Sequence, residues 1–162
     1  MITEQAEQSD QGELATPEYY VARAGDNRLI NELVRRLRTG PEEIALAYTL
    51  RCFEGYPGFA LRLASRCLHS RQSLERMLVE CIRSGQPGII SPCLDMLRAR
   101  IGERRVINIL IQEARSHTAQ VVLARYYLGM SRDPELREKI GALDAILVAA
   151  RAQRHTVDQS SL

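Results

Sequence analysis

Eight residues of this chain recur 45 positions further on. Leu33-Val34-Arg35-Arg36-Leu37-Arg38-Thr39-Gly40 returns as Leu78-Val79-Glu80-Cys81-Ile82-Arg83-Ser84-Gly85. Four positions are identical, and Leu37/Ile82 and Thr39/Ser84 are conservative matches. Self-similarity at about 40–47 residues is the mark of stacked helical units, each too small to bury its apolar face except against a neighbour. In both copies the apolar residues fall at helical spacing and a glycine ends the run.

The remainder reads as further helices joined by short turns. Thr16-Pro17 opens a short helix through Ala24. Asp26 caps the next, which carries Leu29, Ile30, Leu33, Val34 and Leu37 and ends at Gly40. Pro41 starts a third helix, through about Phe53, with Ile44, Ala45, Tyr48 and Cys52 on one face. After a turn over 54–58, a fourth carries Ala60, Leu63, Ala64, Cys67 and Leu68. Ser70 caps a fifth, with Leu74, Met77, Leu78, Cys81 and Ile82 inward and Gly85 closing it. The sixth runs from about Gly88 to Ile101, and Pro92 either kinks it or marks its start behind Ser91.

A seventh helix follows Gly102 and uses Val106, Ile107, Leu110 and Ala114. Thr118 opens an eighth, with Val121, Val122 and Tyr126 inward, closing near Gly129. Asp133-Pro134-Glu135 starts the last, whose stripe is Leu136, Ile140, Leu143, Leu147 and Ala150. The expectation is an all-α protein of about nine helices, three to each 45-residue block, with no strand signal. An echo of His69-Ser70-Arg71-Gln72 in His117-Thr118-Ala119-Gln120 fits that block. Residues 1–15 read as a disordered acidic arm, 16–153 as one helical-repeat domain, and 154–162 as a disordered tail.

This pattern of period, helix count and doubled motif resembles the armadillo and HEAT helical-repeat proteins over about residues 26–150. The resemblance implies a right-handed α–α superhelix whose surface holds another macromolecule. The Asp-x-x-Val-Arg type of consensus found in many such repeats is missing here.

Composition sets outer bounds. Hydrophobic residues make up 45% of the 162, enough for one core without disulfides or metal. Aromatic residues are only 5% with no Trp, which suits aliphatic helix-on-helix packing. Residues 1–16 carry Glu4, Glu7, Asp10 and Glu13 and no basic side chain, whereas residues 17–137 hold 19 basic against 13 acidic ones. Every basic residue but Lys139 is Arg, which points first to coding bias and second to bidentate recognition of carboxylate or phosphate. No run approaches the roughly 18 apolar residues of a membrane span. The start, Met1-Ile2-Thr3-Glu4-Gln5, lacks a signal peptide. The expected location is the cytoplasm, with export by a route that needs no hydrophobic signal as the alternative.

Linear motifs for chemistry are lacking. Cys52, Cys67, Cys81 and Cys93 contain no close pair of the kind zinc sites use, and they read as core residues on four different helices. His69 and His117 stand at equivalent helix starts with no catalytic pairing nearby, and Glu42-Glu43 suits the positive end of a helix. No phosphate loop or nucleophile elbow is found, so no cofactor, metal or catalytic residue is assigned. Arginines form the one suggestive constellation. Arg35 and Arg38, Arg62 and Arg66, Arg98 with Arg104 and Arg105, and Arg115 could align into one partner-binding stripe, although a solvated face explains them more simply.

The function expected is therefore a non-enzymatic protein-binding module, an adaptor, scaffold or regulatory protein. A bacterial effector or an immunity-type protein falls under the same heading. Nucleic-acid binding is the alternative, weakened by the small basic excess and few aromatics. An enzyme whose site leaves no linear motif is third.

Overall fold

Helix boundaries follow local chemistry closely. The computed structural model describes residues 14–159, with side chains through residue 153. Among them are nine helices and no strand: α1 (Pro17–Val21), α2 (Asn27–Thr39), α3 (Glu42–Gly55), α4 (Pro57–Cys67), α5 (Arg71–Arg83), α6 (Pro87–Ile101), α7 (Glu103–Glu113), α8 (Thr118–Leu128) and α9 (Pro134–Gln159). Asp26 accepts from the backbone N–H groups of Arg28 and Leu29 at 3.0 and 3.1 Å, satisfying donors that a helix start leaves unpaired. Ser70 does the same for Ser73 at the head of α5, and Asp133 receives the Glu135 N–H at 2.9 Å. Only Tyr56 separates α3 from α4, and only Gly102 separates α6 from α7. Gly102 has φ 86° and ψ 148°, a conformation essentially closed to residues with a Cβ.

The helices pack in two rows. Each even helix from α2 to α8 contacts the next even one, each odd helix from α3 to α9 contacts the next odd one, and the sequential pairs other than α4 and α5 join the rows. Polar contacts show that the helices of the odd row run parallel and nearly level. Arg104 and Glu135, each second in its helix, pair at 2.8 Å across α7 and α9. Asn108 and Lys139, each sixth, meet at 3.2 Å. Glu75 meets Arg105 near the starts of α5 and α7, and Arg83 meets Glu113 at their ends, at 3.2 Å.

The sequence separations of these contacts are 30 or 31 residues. The packing unit is thus a pair of helices, and the expected three-helix block of 45 residues does not describe it. The doubled motif lies on α2 in the even row and on α5 in the odd row. Its two glycines differ as well: Gly40 has φ −94° and Gly85 φ +68°. What the copies share is an amphipathic pattern that any helix with one buried face needs.

One continuous core runs through the stack, from Tyr20 through Leu33, Leu63, Leu78, Leu94 and Leu110 to Leu147. Three sequence expectations change. Ile44 is exposed, because Ala45, Tyr48, Thr49 and Cys52 fill the inner face of α3. Pro92 lies inside α6, which begins at Pro87. Helix α9 continues to Gln159, so 154–159 is helical where a tail was expected; no Gly or Pro after Gly141 interrupts it, and propagating an existing helix costs little. Of the expected arm, residues 1–13 lie outside the described residues. Leu14 packs against the core, and the Tyr48 hydroxyl donates to the Ala15 carbonyl at 2.8 Å. No helix among the described residues is long and apolar enough to cross a membrane.

Candidate functional site

Most of the expected arginine stripe is taken up by internal contacts. Arg98 pairs with Glu103 at 3.0 Å, Arg104 with Glu135, and Arg105 with Glu75. Arg35 forms an exposed pair with Glu32 one turn back, which holds the Glu32 carboxyl below its usual range. Arg66 donates to the Asn31 side chain at 2.7 Å, and the Arg62 guanidinium lies 5.6 Å from the Phe59 ring centre. Arg38 and Arg115 are exposed, and neither guanidinium makes a hydrogen bond or ion pair among the described residues. The eight side chains are spread over α2, α4, α6, α7 and the segment after α7, and no single line gathers them.

Other groups outside that set also act between helices. Arg100 at the end of α6 donates to the Leu68 carbonyl at 2.5 Å, placing its charge on the carbonyl end of α4. Glu42 accepts from the N–H groups of His69 and Ser70 at 3.0 and 2.9 Å, so the first residue of α3 caps the start of α5. Burial raises its carboxyl, but the Ser70 and His69 backbone donors and the Ser73 and Ser70 hydroxyls outweigh it and bring it down to about 2. The dipole role expected for Glu42 within its own helix is therefore secondary to a bond across the row.

Helices α3 and α5 border an open groove of about 780 Å³. Ala47, Leu50 and Phe53 give it an apolar side, and Arg51, Arg76, Arg83, Glu54 and Glu80 give it charge. Arg83 is held by Glu113 and lies 3.9 Å from Glu80. Arg51 and Arg76 are exposed, and their guanidinium groups form no hydrogen bond or ion pair among the described residues. Residues 47, 50, 51 and 54 share one face of α3, and 76, 80 and 83 share one face of α5. That i, i+3, i+4, i+7 spacing was legible, but only the stacking of α3 on α5 makes a groove of it.

The imidazole expected to be unpaired does have a carboxylate beside it. His117 Nδ1 lies 3.0 Å from Glu113 Oε2, one helical turn away, while the Arg83 guanidinium donates to both oxygens of that carboxylate. All four cysteines are buried on α3, α4, α5 and α6, as their spacing suggested. Burial pushes the Cys52 thiol up to about 12, and a hydrogen bond with Cys81 followed by burial pushes Cys93 up as well. Among the described residues no group of three or more His, Cys, Asp or Glu side chains could hold a metal ion.

The outer face of α8 departs most from expectation. Val121, Ala124 and Leu128 are buried, whereas Tyr126, expected inward, is 78% exposed. Tyr127 is 41% and Met130 79% exposed, and Val122 and Leu123 are half-buried beside them. No family model, curated protein or solved structure matches this chain.

Proposed function

We propose that this protein is a non-enzymatic binding module, a right-handed α–α superhelix of the HEAT or armadillo kind that holds a segment of a protein partner. The groove between α3 and α5 carries this reading, because the Arg51 and Arg76 guanidinium groups, held in no direct ion pair, stand beside an apolar wall there. Such a surface suits an acidic segment bearing an apolar anchor, with charge steering the encounter and burial of the anchor supplying affinity. The two-row packing and the parallel, level stacking of the odd row support the superhelix, since repetition of one helix-pair step generates a solenoid. Nucleic-acid binding gains little support from arginines already neutralised by Glu75, Glu103 and Glu135.

Affinity capture from native lysate at low salt, with the wild-type chain and an Arg51→Glu/Arg76→Glu variant, tests the proposal. The wild type should retain a protein at stoichiometric yield and the variant should lose it. Retention by both overturns the groove assignment. A mobility shift with duplex or single-stranded nucleic acid that weakens steeply with salt would favour the alternative.

A further inference from the structure

We propose that the outer face of α8 is a self-association surface, which takes the α8 of a second copy of this chain in a two-fold contact. In the even row, α4 lies between α2 and α6, and α6 between α4 and α8, but α8 has an even neighbour on one side only. Opposite its buried residues lie Ala119, Val122, Leu123, Tyr126 and Tyr127, with Met130 just beyond the helix end. Tyr126 and Met130 are each more than three-quarters exposed. A helix that is apolar on all sides belongs in an interior, and α8 has a single charged residue in its eleven. Tyr and Met are also the residue types that interfaces favour.

The two ends of the even row differ, and the difference selects the occupant. The outward positions of α2 are Arg28, Asn31, Glu32, Arg35, Arg38 and Thr39, all polar. Head-to-tail stacking would set these polar and charged groups against the tyrosines of α8 and strip their water. A two-fold contact instead sets α8 against α8. It favours a surface without net charge, since the patch as a whole meets the same net charge on the copy. The α8 face meets that condition, because Arg125 is bound to Asp144 at 2.8 and 3.1 Å and to the Gly129 carbonyl at 2.9 Å. The chain's own outlying segments fit poorly. Residues 1–13 are mostly polar, with apolar side chains only at Met1, Ile2 and Ala6, and residues 154–162 carry no apolar stripe.

Light scattering or sedimentation of the full chain over a range of concentrations tests this proposal. The mass should approach twice 18.3 kDa. Tyr126→Glu and Met130→Glu should each weaken association by roughly thirtyfold or more, as loss of a central anchor does. Circular dichroism should remain unchanged, because both side chains are exposed. Arg51→Glu/Arg76→Glu should leave the mass unaltered, so failure of the groove reading and failure of this one are distinguishable. A chain that stays at 18.3 kDa throughout overturns the proposal. A dimer that survives both substitutions, or a mass that climbs beyond two copies, overturns it equally.

Discussion

Glu42 shows how one side chain comes to serve two helices. It opens α3, where a carboxylate is favoured by the helix dipole, yet its oxygens receive the N–H groups that start α5. Because the folded-state carboxyl is lowered to about 2, its contribution is fully present above the unfolded-state value near 4.3 and is lost as pH falls toward 2. Glu42→Gln should therefore lower the melting temperature at pH 7, and the gap to wild type should close by about pH 2. A gap that stays constant between these pH values would show that the ionised carboxylate is not the stabilising form. The sequence marks Glu42 only as a good first-turn residue. Its larger role depends on residues 69 and 70, which the chain brings back after a complete helix pair.

Elements begin and end where local chemistry directs. Asp26, Ser70 and Asp133 at starts, and Gly85, Gly102 and Gly129 with positive φ at ends, are short-range signals that a single sequence carries. Gly102 is the sharpest case, since one residue must turn the chain from α6 into α7. A methyl group there would meet no neighbour within 4 Å, so the cost of Gly102→Ala is backbone strain alone. Chemical denaturation should show a loss of about 1–3 kcal/mol. A loss under about 0.5 kcal/mol, typical of neutral surface changes, would mean that the connection relaxes. Which way a helix faces is less legible. On α3 and α8 apolar residues occur on more than one side, so Ile44 and Tyr126 compete with Ala45 and Ala124 for the interior. Periodicity alone does not rank them.

For the whole molecule, the two-row arrangement assigns different weights to positions that look alike in sequence. Leu33 and Leu78 match in the doubled motif and both are fully buried. Helix α5, however, touches α3, α6, α7 and α8, whereas α2 touches α3 and α4 at the end of its row. Truncating a buried leucine costs about 2–5 kcal/mol, and most where the surroundings are least able to collapse into the cavity. Leu78→Ala should therefore lie near the top of that range and Leu33→Ala near the bottom, as measured by urea unfolding. Equal losses would indicate that the end of the stack is as rigid as its middle.

The all-helical class, the approximate helix boundaries and the burial of Cys52, Cys67, Cys81 and Cys93 were determined by the sequence itself. These depend on spacing, caps and polarity within one helix length. Only the tertiary structure decided the helix-pair unit, the engagement of Arg104 and Arg105 by carboxylates, and the exposure of Tyr126. Each depends on which helices become neighbours some 30 residues apart. Over that distance the chain records which residues could face inward or form a pair, and packing decides among them.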